Sequence, residues 1–313
     1  MLRRRTPVVV GPELDDRHLR RTLSELRPSP QLHGLGAGTS RPSWEPVAEL
    51  LRAAGRDWDR RVHRISVLAP ALPPSVTDRW VADRPQDPDA LVVHAYARVA
   101  RADSGNRSES WEAYDGCMRA AEAMPEDPTP WLALLDLMYA CGSPPHAVVP
   151  VWTEAANRDP WNRTVYHRLL RHLSPRGRGT LSEMLDFARH SAARAPYGSP
   201  IVLLPLAARA ELVAYREGFH SASIVGAAAH WHEPQAAAEI DTALAKWFHA
   251  DTPPHAEALA DLNLLAFALT RAQRRDQAAL VFRRIGRDMT SRPWDLVPDP
   301  VGTFRYWWDR ARG

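Results

Sequence analysis

Four proline-centred breaks recur along this chain at nearly even intervals, and they constrain its architecture more than any other feature. Arg84-Pro-Gln-Asp-Pro is followed by Met124-Pro-Glu-Asp-Pro, then by Arg158-Asp-Pro-Trp and Ala195-Pro-Tyr-Gly-Ser-Pro. Aligning Pro85, Pro125, Pro160 and Pro196 gives steps of 40, 35 and 36 residues. Between the breaks, apolar residues return at three- and four-residue spacing, the period of a helix with one buried face. Long alternating runs of the kind a strand needs are lacking from Trp44 onward. A repeat of about 34 residues that holds two helical stretches reads as stacked helix pairs. The expected fold class is therefore all-α.

The side chains within the units sharpen this. Trp131, Leu134, Leu135 and Met138 fall on the first helix of one pair, and Trp152 and Ala155 on its second, with Pro160 closing the unit. The preceding second helix offers Ala113, Cys117, Ala120 and Pro125. A later pair offers Leu262, Leu265, Ala266 and Leu269, then Ala278, Phe282 and Ile285. On these residues the chain resembles the tetratricopeptide repeat family over roughly 80–200 and 256–290. The resemblance implies a right-handed α-solenoid of antiparallel helix pairs. It departs in the middle, where Pro205 interrupts a first helix, Ser174–Thr180 lengthens a turn, and residues 205–255 suit irregular helices.

Residues 1–43 differ from the rest and read as a flexible, partly disordered basic tail, with eight arginines against four acids over 1–41. A short helix over about 13–27 is compatible with Leu14, Leu19, Leu23 and Leu26. The repeat domain is expected over 44–313, with Trp44–His63 as a capping helix. The aromatic Phe304-Arg-Tyr-Trp-Trp308 reads as a final helix folded over the last pair, with a homodimer contact as its rival.

Composition excludes several classes. Net charge is +3 and Lys246 is the only lysine, so the arginine content reflects coding bias and argues against nucleic acid as the main partner. The longest apolar runs are too short to span a bilayer, and the basic start leads into only three valines, too few for a secretory signal. A cytoplasmic protein with no membrane contact is expected. Cys117 and Cys141 stand alone and suit a reducing compartment rather than a disulfide or a zinc site.

Signatures of chemistry are weak. No phosphate-cradling glycine loop and no nucleophile elbow is present. His230-Trp-His232-Glu233, with His220 upstream, is the one cluster of metal-ligating types. On a helix His230 and His232 would diverge by about 200°, so a polar loop before Pro234 is preferred; His249 and His255 take the same reading. Glu183 and Asp186 lie three apart beside Arg189 and read as a solvated helical face. No cofactor, no metal and no catalytic residue is expected.

The resemblance supplies the site candidates, because first helices line the concave surface of such arrays. The inward positions carried over are Val92 and Tyr96, then Leu132, Asp136 and Tyr139, then His167 and Arg171, then Asn263, Phe267 and Arg271. Arg163, His167 and Arg171 run at i, i+4, i+8 and form a basic stripe suited to an acidic peptide. The family's lysine–asparagine carboxylate clamp is not reproduced. The expected function is a non-catalytic adaptor or scaffold that binds a protein or peptide in its groove. The alternatives are a nucleic-acid-associated regulator using the arginine-rich tail, and an enzyme with a site near His220–Glu233.

Overall fold

The computed structural model describes residues 7–26, 43–103, 105–219 and 230–311, with backbone alone for 216–219. Most of the tail, including Arg3–Arg5 and residues 27–42, lies outside them. The described chain is helical nearly throughout. Its helices are α1 (Arg17–Leu26), α2 (Glu45–Ala54), α3 (Trp58–Ala71), α4 (Pro74–Asp83), α5 (Pro88–Arg101), α6 (Arg107–Ala123), α7 (Thr129–Ala140) and α8 (Pro145–Arg158). There follow α9 (Arg163–Leu173), α10 (Leu181–Arg194), α11 (Leu204–Phe219), α12 (Pro234–Ala243), α13 (Ala258–Arg271), α14 (Arg275–Ile285), α15 (Ser291–Trp294) and α16 (Pro300–Arg310).

All four repeating prolines fall in the loops that precede α5, α7, α9 and the 3-10 turn Pro200–Leu203. The chemistry of those loops explains why helices restart there. Asp87 accepts the Asp89 amide at 3.0 Å, and Pro88 occupies the first turn, where no amide donor is needed. Asp127 does the same for α7, accepting the Thr129 amide at 2.8 Å. Asn162 opens α9 by accepting the Val165 amide at 3.2 Å. Pro205, expected to break a helix, instead sits in the first turn of α11 and interrupts nothing.

The chain divides into two compact units, residues 16–169 and residues 1–15 with 170–313, the second division falling inside α9. In the first unit α5 packs on α3, α4, α6 and α7, and α7 packs on α8. Ala113, Gly116, Cys117 and Ala120 make the near face of α6 flat. A Cβ placed at Gly116 would stand 3.6 Å from that of Ala95, so the two helices meet at van der Waals contact. Trp80 is fully buried and stacks on Trp44 at 5.4 Å.

Buried ion pairs fasten this unit. Arg61 of α3 is 3% exposed and Asp127 1%. Its Nε donates to Asp127 at 3.0 Å and its Nη2 to Asp89 at 2.5 Å. Burial on its own would lower the Arg61 pKa, but the charges and hydrogen bonds of the two carboxylates raise it overall. One side chain thus holds the first turns of both α5 and α7. Next to it, Arg64 donates to Asp16 at 2.8 Å and to the Leu50 carbonyl at 2.8 Å. Burial pushes the Asp16 carboxyl up, but the Arg64 hydrogen bond, the Leu19 amide and the charges of Arg64 and Arg60 bring it below its ordinary value. Asp16 also opens α1, whose Leu19, Leu23 and Leu26 are buried.

In the second unit α10 packs on α11, and α13 on α14. Its centre is aromatic. Phe267, Phe282, Trp294 and Phe304 meet at centroid distances of 5.3–6.0 Å, and Trp231 adds an edge contact to Phe267 at 6.1 Å. The C-terminal helix α16 lies against α14 and buries Phe304 and Trp308, leaving Tyr306 exposed. Between α11 and α13 the described chain is irregular, with a 3-10 turn at His230–His232, then α12, then a π turn at Leu244–Phe248. One feature has no precursor in the sequence pattern. Val9–Val10 pairs in parallel with Asp288–Met289, a two-residue ladder too short to produce any alternation.

Arg61→Ala leaves the buried Asp127 and the partly buried Asp89 without their cation and is expected to destabilise the protein by about 3–5 kcal/mol, read from urea unfolding followed by circular dichroism. The cysteines offer a second check. Both are free, Cys117 buried and Cys141 exposed. Burial pushes the Cys117 thiol up to about 12, and the thiolate is the reactive form. One thiol should react with Ellman's reagent at pH 8 in the folded protein and two after denaturation.

Candidate functional site

Three helices, α5, α7 and α9, each contribute one side chain to a polar cluster in the first unit. The Tyr96 hydroxyl donates to Asp136 Oδ2 at 2.7 Å. Arg168 Nε lies 2.8 Å from Asp136 Oδ1, and Arg168 Nη2 donates to the Tyr96 oxygen at 3.3 Å. Tyr96 is buried, whereas Asp136 and Arg168 are partly exposed. Burial, opposed by the Arg168 charge and reinforced by that of Asp136, raises the Tyr96 pKa. The hydroxyl therefore remains a donor at neutral pH. The Asp136 carboxylate receives a charge-assisted pair on one oxygen and a phenol on the other.

The resemblance named Tyr96 and Asp136 as inward positions; the structure brings them into contact and adds Arg168, which no sequence signal singled out. Tyr96 and Asp136 are 40 residues apart, one repeat step. Each follows its repeat proline, Pro85 or Pro125, by 11 residues, and the same offset from Pro160 lands on Arg171. The structure brings Arg168, nearly one helical turn earlier, to Asp136, and the repeat register carries no signal for that residue.

Of the other expected residues in this unit, Tyr139 and His167 are partly exposed, while Arg163 is buried in the first turn of α9. Val92 and Leu132 are buried in the core. Arg171 belongs to the second unit. Asn263 and Phe267 need correction, since neither presents a side chain to a groove. Asn263 is fully buried, donates to the carbonyls of Leu259 at 2.9 Å and Asp288 at 3.2 Å, and accepts the Trp294 indole N–H at 2.8 Å. Phe267 is the centre of the aromatic core. Arg271 is partly exposed, its guanidinium 5.7 Å from the Phe267 ring centroid. The carry-over failed at α13 because that helix packs on more than one side, against α11, α12, α14 and α15.

Of the rival cluster, His220 lies outside the described residues. His230 is buried against Trp231, His232 is exposed, and Glu233 pairs with Arg209 at 3.2 Å. Arg209 is itself buried and holds Glu239 at 2.5 Å. His255 Nε2 lies 3.1 Å from the buried Asp261, and its Nδ1 accepts the Glu257 amide at 3.3 Å. Among the described residues no three His, Cys, Asp or Glu side chains gather as a metal site. Glu183 completes a capping box with Thr180, accepting its hydroxyl at 2.8 Å while its own amide donates back at 3.1 Å. Asp186 accepts the Ser182 hydroxyl at 3.0 Å. Both acids therefore have local helical roles. No helix of the described chain is long and apolar enough to cross a membrane.

No family model, curated protein or solved structure matches the chain. The site therefore rests on its own geometry.

Tyr96→Phe removes one buried donor while Asp136 keeps Arg168. The expected cost is about 1 kcal/mol of stability, seen as a lower urea midpoint with an unchanged far-ultraviolet spectrum.

Proposed function

We propose that this chain is a non-catalytic interaction module of the tetratricopeptide-like kind, a right-handed α-solenoid that binds a protein or peptide with an acidic segment along its first helices. One observation carries the reading. Tyr96, Asp136 and Arg168 come from three successive first helices and meet in one cluster, which supports a shared face running across the pairs. Such a face binds an extended partner through many modest contacts and needs no reactive group. Tyr139 and His167 lie on the same helices, partly exposed, and are suited to contact a guest. Arg168 and the basic residues of α9 favour acidic side chains through charge-assisted hydrogen bonds.

The test is co-purification from the native host with the tagged full chain. A partner identified by mass spectrometry should be recovered with the wild type and lost with the Tyr139→Ala, His167→Ala double variant, while helicity by circular dichroism is retained. Equal recovery by both proteins would overturn the assignment of this face.

A further inference from the structure

Resting on that reading, we infer that Asp136 is a built-in competitor for the partner: it occupies Arg168 in the free protein, and an acidic side chain of the partner binds by taking its place.

The geometry is specific. The Arg168 guanidinium is held against Asp136, its Nε 2.8 Å from Asp136 Oδ1. The pair is neither sealed nor fully solvated, with side-chain exposures of 24% for Arg168 and 18% for Asp136. A partner carboxylate can therefore approach Arg168, but the attraction it finds is reduced by a carboxylate already in place. Tyr96 sets the strength of that competition. Its buried hydroxyl donates to the other oxygen of Asp136 at 2.7 Å and receives Arg168 Nη2 at 3.3 Å. The phenol thus orients Asp136 toward Arg168 and stabilises the closed pair. Displacement leaves the half-buried Asp136 carboxylate with the Tyr96 hydroxyl, so the guest must offset the loss of that internal pair. Because the guest must outcompete an internal ligand, weakly acidic segments are rejected and only a dense carboxylate run is retained. Specificity arises from that difference rather than from affinity alone.

Removing the competitor should therefore tighten binding, the opposite of what loss of an ordinary contact does. The probe is fluorescein-labelled hexaglutamate, titrated with the full chain and followed by fluorescence anisotropy at low salt, with hexalysine as control. Wild type should bind hexaglutamate weakly. Asp136→Asn, which keeps the size of the side chain and removes its charge, should bind roughly ten-fold tighter. Tyr96→Phe should give a smaller gain, and Arg168→Gln should abolish binding. Each gain should shrink at high salt, where partly exposed charges are screened. If Asp136→Asn binds no tighter than wild type while keeping the wild-type dichroism spectrum, the competitor role is overturned and the acidic-partner reading stands. If no variant and no wild type binds hexaglutamate, the acidic-partner reading falls and takes this inference with it. Should Asp136→Asn fail to fold, Tyr96→Phe decides: unchanged or weaker affinity in that variant overturns the inference.

Discussion

The first unit depends on a buried cation. Arg61 sits among apolar helices with almost no access to water, and its positive charge is tolerable only because Asp89 and Asp127 reach it. Neither acid is in α3. One sits at the start of α5 and the other just before α7, so the pairing fixes two helix starts against a third helix at once. Hydrophobic burial is non-directional and would accept many slides of one helix past another. A guanidinium with two carboxylates accepts very few. The Asp-Pro breaks that punctuate the sequence are therefore more than stops: Asp127 caps α7 through one oxygen and holds Arg61 through the other.

That arrangement bears on the polar cluster. Tyr96, Asp136 and Arg168 meet within hydrogen-bond distance because α5 and α7 start in a set register. A slip of one residue would turn each side chain by about 100° around its helix and dissolve the cluster. The buried ion network beside the helix starts and the half-buried one on the shared face are thus linked through two rigid helices. One specifies register and the other uses it.

The second unit solves the same problem with other chemistry. Its aromatic rings meet edge to face, and the Trp294 indole is held by Asn263, which also reaches two backbone carbonyls. Arg209 is a buried cation of this unit, anchored by Glu239 and Glu233. The short strand pair and the Asp15 carboxylate, which accepts the Leu259 amide at 3.2 Å, bring the start of the chain into this unit. Asn263 and Phe267 stand where a simple repeat would place groove residues, yet they complete this core.

Helical class, the place of the four proline breaks and the burial of Ala113, Cys117, Ala120, Leu265, Ala278 and Phe282 were determined by the sequence itself. They follow from local rules: the 3.6-residue period, the capping aspartates and the prolines that cannot continue a helix. The resemblance pointed to Tyr96 and Asp136 as inward positions, but their contact with each other came from the packing of α5 on α7. The contact of Arg168 with Asp136, the burial of Asn263 and Phe267, the Arg61 clamp and the pairing of Val9–Val10 with Asp288–Met289 were decided by tertiary structure alone. Each depends on which distant groups come close, and no local period encodes that. A charged or polar side chain looks the same in the sequence whether it faces water or a buried partner dozens of residues away.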